Sequence, residues 1–233
     1  MGKLLQHLEE IDATVDSYVM YGRAQIIARQ PDTLQRWLDR STERLLINCG
    51  MDSGDEEILQ RGISKSQSSG SRLKENRKAI KNIKAAGKKA HLHFSLIFGS
   101  PGETRASCER SLDFLKFAIA ELGPTEQLDV VEADIWWLNF GAPCATIFEN
   151  YEEALRLAES VGKTISPTDW YEYFGRYADE LSVPWEAEKA WYRFFTYITV
   201  EQAQKYNEQV RVMMEKVPGA ITGREYNFKP PPV

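Results

Sequence analysis

Apolar, β-rich runs alternate with helical patterns along this chain, and that order predicts parallel βα units rather than a sandwich. The strands are predicted over Tyr18–Ile27, Arg44–Cys49, Ala90–Phe98 and Leu128–Phe140. Pro31 opens a short helix over Asp32–Arg40, since proline is tolerated in a first turn. Asp55 and Glu56 begin a helical turn that ends near Arg61 and Gly62, and Ser64–Ser71 reads as a polar loop with Ser71 capping the next helix. Leu73, Ile80, Ile83 and Ala86 recur at helical spacing, with Gly87 as the stop. After the third strand Leu112, Leu115, Ile119 and Leu122 line one face of a long helix closed by Gly123-Pro124. The remainder is mostly helical: Glu152–Val161, a Trp/Tyr-rich piece over Thr168–Leu181 that is helical or irregular, a segment opened by Pro184, and a last helix ending near Val217. Thr199 and Gln202 have the spacing of a capping box, and the proline tail Lys229–Val233 is extended.

The expected fold is therefore α/β, a partial (β/α) barrel of about four parallel βα units over residues 1–162, with a C-terminal helical region over 163–233. With 233 residues, 42% hydrophobic and 27% charged, the chain has ordinary globular composition. A net charge of −5 argues against a nucleic-acid partner, and the basic run Arg72–Lys89 alternates with an apolar stripe, as a solvated helix face does. No run approaches the ~20 apolar residues of a membrane span, and Met1–Ile11 lacks the apolar core of a signal peptide. Cys49, Cys108 and Cys144 are isolated in sequence, without a CxxC pair, which reads as free thiols in a reducing cytoplasm.

In parallel β/α folds, ligands gather beyond the carboxyl ends of strands, and the special residues here lie there. Asp52 and Ser53 sit between Gly50 and Gly54 after the second strand. Their carboxylate and hydroxyl can take paired ribose hydroxyls, or the segment is an Asx turn opening the next helix. Gly99-Ser100-Pro101-Gly102-Glu103 is a tight turn with an acid in the first helical turn. His91 and His93 point to one face of the third strand. No cysteine or carboxylate near them in sequence completes a ligand set, so no metal is assigned. No GxSxG, HExxH or P-loop pattern is present.

Taken together, these segments resemble the radical S-adenosylmethionine superfamily. Gly50-Met51-Asp52-Ser53-Gly54-Asp55-Glu56-Glu57-Ile58-Leu59, Ile63-Ser64-Lys65 and Ala79-Ile80 through Ala86-Gly87 are similar to its "G-I-E-S-G", short "E-x-L" helix, basic residue and "A-I-x-x-x-x-x-A-G" elements. Phe94 through Thr104 is similar to "I-x-G-x-P-G-E-T", and Gly141 through Phe148 to "P-x-P-G-T-x-L-Y". The resemblance covers about Tyr18–Tyr151 and is closest to the branch that carries an N-terminal cobalamin domain. It implies that Asp52 and Ser53 meet the ribose, Lys65 the methionyl carboxylate, and Ile97 and Gly99 the adenine wall, with Ser95 a further cofactor-binding residue and Glu103 mainly fixing its loop. It also implies S-adenosylmethionine and a small-molecule substrate, with a [4Fe–4S] cluster and cobalamin brought by an N-terminal part. The family's CxxxCxxC loop is missing here, and the first matching strand corresponds to the family's third.

The expected role is thus the C-terminal portion of such an enzyme, a truncated or split chain inactive by itself. The alternative is a degenerate barrel acting as a partner subunit. A barrel without its early strands leaves the first strand unpaired on one edge. The segment Lys3–Ile11 is too short to replace two βα units, so association is expected, with a complementary subunit or with itself.

Overall fold

The computed structural model describes residues 2–61, 72–138, 143–180 and 182–220. Along the chain run α1 (Gly2–Glu10), β1 (Val15–Arg23), α2 (Ala24–Arg29), α3 (Pro31–Asp39), β2 (Ser41–Asp52), α4 (Glu56–Arg61), α5 (Arg72–Ala85), β3 (Ala90–Phe98), α6 (Arg105–Leu122), β4 (Leu128–Ile135), α7 (Thr146–Glu149), α8 (Tyr151–Ser160), α9 (Pro167–Tyr173), α10 (Trp185–Phe195) and α11 (Val200–Met214). The four strands form one all-parallel sheet in the order β1-β2-β3-β4. The fold is the expected α/β arrangement of a partial β/α barrel, and the sheet is open rather than closed.

Helices α2, α5, α6 and α11 pack side by side in that order over one face of the sheet. Strand alternation sends Leu45, Ile47 and Cys49 of β2 and Leu92, Phe94, Leu96 and Phe98 of β3 into that layer, all fully buried. Phe94 meets Phe114 of α6 edge-on at 5.9 Å, and Phe98 stacks on Tyr206 of α11 at 5.6 Å. Gln127 Nε2 ties the layer to the sheet by donating to Ile83 O, Gly87 O and Ala90 O. The opposite face, carrying Leu46, Asn48, His91, His93, Ser95 and Ile97, is only half-buried.

Three boundaries differ from the sequence reading. The first strand begins at Val15 and ends at Arg23, because Ala24, Ile27 and Ala28 fall on the buried side of a helical turn, α2. Asn82 of α5 donates to the Ile27 and Ala28 carbonyls, which satisfies acceptors at that turn's end. The second strand runs from Ser41 to Asp52, longer than Arg44–Cys49, because an irregularity between Gly50 and Asp52 lets pairing with β3 continue. The fourth ends at Ile135, with one further bond from Trp136 N to Phe98 O, while Asn139 and Phe140 lie outside the described residues. Among the described residues the Trp/Tyr-rich piece combines α9 with a short 3₁₀ turn at Gly175–Tyr177, part helical and part irregular. Ser71, expected to cap α5, also lies outside the described residues.

Thr199 caps α11 through the reciprocal bonds its spacing predicts, and Thr104 with Ser107 forms a second such box at the start of α6. No helix of the described residues is long and apolar enough to cross a membrane.

Candidate site at the carboxyl ends of the strands

At the end of β2 the chain turns sharply. Asp52 adopts a left-handed conformation, φ +61°, and Ser53 N reaches back to Met51 O at 2.7 Å. Ser53 is fully buried and faces α6. Its hydroxyl lies 3.1 Å from Ser111 Oγ and accepts from Asp55 N, and Ser111 Oγ also accepts from Gly54 N at 2.9 Å. Gly54 is required there, since a Cβ would stand 2.5 Å from Arg110 O. Asp55 rather than Asp52 begins α4, accepting from Ile58 N at 3.0 Å while pairing with Arg110. Asp52 remains at the strand end, 6% exposed.

The turn after β3 is held by its own acid. Glu103 Oε2 accepts from the amides of Gly99 and Ser100. Its other oxygen is buried with no hydrogen-bond partner, as is Ser100 Oγ. Burial pushes the Glu103 carboxyl up to about 8, more than the two amide bonds and the Cys108 thiol bring it down. Two N–H donors occupy one carboxyl oxygen, so a proton held by this group sits on the other.

The C-terminal helices seal this turn. Trp191 Nε1 donates to Gly99 O at 2.8 Å, Gly102 N donates to Phe195 O, and Tyr197 N to Glu103 O, each at 2.7 Å. Tyr192 Oη lies 3.3 Å from both Phe98 O and Trp136 O, bridging the ends of β3 and β4. Gly99 has φ +102°, and a Cβ on it would lie 2.4 Å from Tyr192 Oη. The group that the bare glycine admits is therefore the chain's own tyrosine. Trp136 stacks on Trp191 at 5.3 Å and 4°. Glu188 of α10 accepts from Leu138 N with both oxygens, and burial pushes its carboxyl up to about 7.

The open face carries the polar groups. Asp129 takes His91 Nδ1 at 2.8 Å and the Arg44 guanidinium. Burial and the neighbouring Arg44 hold His91 below the ordinary histidine range, and the Asp129 carboxylate accepts from its Nδ1–H. His93 Nε2 lies 3.2 Å from Glu132. The two histidines thus have carboxylate neighbours that sequence proximity could not reveal, since strand pairing brings β4 beside β3. They lie in the first half of β3, away from the end where parallel β/α folds bind ligands. Replacing Asp129 by alanine is expected to destabilise the fold by about 2 kcal/mol, because two buried or half-buried donors lose their acceptor. A urea-unfolding loss below about 0.5 kcal/mol would place the trio with ordinary surface pairs.

Nearer the carboxyl end, Ser95 pairs in register with Gly50 of β2 and Glu132 of β4, and Ile97 pairs with Asp134. Burial and Glu132 raise the Asp134 carboxyl above its ordinary range. Ser95 and Ile97 are half-buried on the open face. The structure thus places Ser95, Ile97, Gly99 and Asp52 on adjacent strand ends, turns Ser53 and Glu103 inward as supports, and leaves Lys65 outside the described residues. Tyr192, Trp191 and Glu188 had no sequence signal beyond an aromatic-rich helix. Lys163 is another such group, donating to the Arg193 and Thr196 carbonyls at the end of α10.

Cys49 and Cys108 are buried, and Cys144 is half-buried in the turn after β4. Burial pushes the Cys108 and Cys144 thiols up, the opposite of what a metal thiolate needs. Among the described residues no three His, Cys, Asp or Glu side chains gather as a metal site would require. Compared with known proteins, the chain matches no family model and no curated protein.

Proposed function

We propose that this chain is the later part of a radical S-adenosylmethionine-type barrel, working in the cytoplasm, whose open face forms the ribose and adenine wall of the cofactor site. The observation that carries this reading is the juxtaposition of Ser95 and Ile97 with the irregular end of β2 at Gly50–Asp52. An apolar side chain for a flat base and polar groups for a ribose stand on neighbouring strand ends, where parallel β/α folds bind ligands. The cysteines present do not fit a [4Fe–4S] cluster, which needs clustered thiolates. Cluster and electron therefore come from complementary strands, and the chain by itself does not cleave the cofactor. Cobalamin comes from the same source.

A second reading is supported by Tyr192. Because its ring fills the approach to Gly99 and Ser53 is engaged with Ser111, the same barrel can be a degenerate partner subunit without cofactor. Saturation-transfer NMR with S-adenosylmethionine separates the two. The first reading expects adenine protons to receive saturation from the chain, with weak affinity, about 1 mM, and to lose it in the Ile97→Asp variant. No transfer to adenine, or transfer indifferent to Ile97, would leave the partner-subunit reading.

A further inference from the structure

The basic run along α5 is a charged surface that the cofactor wall leaves unused. Residues 72–89 carry eight lysines and arginines against one acid, Glu75, in a chain whose net charge is −5. Several of these cations are engaged. Arg72 is buried and donates to Leu59 O, Arg77 lies over the Phe117 ring at 4.6 Å, Lys84 pairs with Glu121, and Lys89 Nζ donates to Ser41 O. Glu75 itself takes Arg29. Lys78, Lys81 and Lys88 are exposed and make no ion pair among the described residues. Other surface helices of the chain are built differently. Lys116 of α6 pairs with Asp113, Arg156 of α8 with Glu153, and Arg211 of α11 with both Glu208 and Glu215, each about one turn away. On α5, Lys74, Lys78, Lys81 and Lys84 follow one another at spacings of four, three and three. Like charges therefore stand one turn apart, which costs helix stability. The helix dipole favours cations only near the last turn, and Lys74 and Lys78 lie in the first half. Helix stability does not account for this row.

We propose that this face of α5 rests on the headgroups of an anionic lipid bilayer, with Lys78, Lys81 and Lys88 as its principal contacts. Charge complementarity sets the sign of the partner, and the side chains set its kind. The exposed, unpaired cations are lysines, point charges on flexible stems, rather than the guanidinium forks that grip one carboxylate or phosphate. No aromatic residue interleaves with them along α5. Protein interfaces, by contrast, are depleted in lysine and anchored by aromatic side chains, and single-stranded nucleic acid is held by stacking on them. α5 lies between α2 and α6 in the helix layer, so it cannot enter the groove of a duplex as a projecting helix does. A laterally mobile plane of anionic headgroups needs neither anchor nor projection, and each lysine near it contributes about 1 kcal/mol. Acids on the adjoining surface, Glu75 and the Asp113 and Glu121 of α6, are already paired, so the field of this face stays positive. The association involves neither Ile97 nor S-adenosylmethionine, so it stands or falls apart from the proposed cofactor wall.

Cosedimentation of the whole chain with lipid vesicles tests the contact. The wild type is expected to pellet with vesicles of equal parts phosphatidylserine and phosphatidylcholine, and to stay in the supernatant with pure phosphatidylcholine. Binding is expected to be lost in about 1 M salt, where the screening length falls to about 3 Å. The triple variant Lys78→Gln, Lys81→Gln, Lys88→Gln is expected to lower the partition coefficient about a hundredfold. These positions are exposed, so its far-UV circular dichroism should match the wild type. A matched control, Lys189→Gln, Lys205→Gln, Lys216→Gln, takes the same charge from exposed positions elsewhere and is expected to bind as the wild type does. A wild type that never pellets in a phosphatidylserine-dependent way would overturn the proposal, as would equal losses in the two triple variants. So would a chain that ignores the vesicles but retards a DNA or RNA duplex in a gel through the same three lysines, which would make the partner a nucleic acid.

Discussion

Alanine at Gly99 is expected to destabilise the fold by about 3 kcal/mol, the sum of a left-handed backbone cost and overpacking. Both contributions arise at one atom. The residue has φ +102°, and the added Cβ would lie 2.4 to 2.6 Å from the hydroxyl and ring carbons of Tyr192. Tyr192 is held in place, 5% exposed, with its hydroxyl against two strand-end carbonyls. The steric part belongs to the pair, so Gly99→Ala combined with Tyr192→Leu should cost less than the two single changes added together, by about 1 to 2 kcal/mol. Urea unfolding of the four proteins completes the cycle. Strict additivity would show that the ring moves aside freely, and the tight seal described between α10 and the turn after β3 would be wrong.

The second large effect is on pH dependence. Glu103 is ordinarily half-ionised near 4.5 and is raised to about 8 in the folded chain. Below 4.5 both the folded and unfolded states hold the proton, and the group does not bias stability. Between 4.5 and 8 unfolding releases the proton, so stability falls as pH rises. Above 8 both states are ionised, and the native state carries the full penalty of a buried charge, on the order of 4 kcal/mol. Glu188, raised to about 7, acts in the same direction but completes its change sooner. The difference between the wild type and Glu103→Gln, rather than any one pH interval, therefore isolates Glu103. In Glu103→Gln the amide oxygen can keep accepting from Gly99 and Ser100 with no charge to bury. The variant should lose most of the decline in urea midpoint seen in the wild type from pH 7 to 9, and should be the more stable protein at pH 9. A wild-type midpoint that is flat or rising over that range, or a variant that parallels it, would mean that Glu103 is already ionised at neutral pH.

The same acid illustrates how far local sequence reaches. Gly99-Ser100-Pro101-Gly102-Glu103 announces a turn, and the position of Glu103 four residues after Gly99 suits it to hold that turn. Its full burial was not legible, because the cover comes from Trp191, Tyr192 and Phe195, nearly a hundred residues later. Gly99 is the clearest case. Sequence marks it as a place where something must approach the backbone closely. Only the packing of α10 identifies that neighbour as a tyrosine of the same chain.

Strand and helix periodicity, together with the punctuating Gly87, Gly123 and Pro31, determined the α/β alternation, the parallel order and the strand-end location of Asp52, Ser95, Ile97 and Gly99. These are local properties, set by side-chain alternation and backbone preference within each segment. The tertiary structure decided which neighbours each group has. It turned Ser53 toward Ser111, joined His91 to Asp129 and Arg44 across three strands, and folded Ala24–Arg29 into a helix because Asn82 and α5 reward that turn. It also left β1 bare. Exposure of an edge depends on what packs beside it, and no pattern within nine residues contains that information.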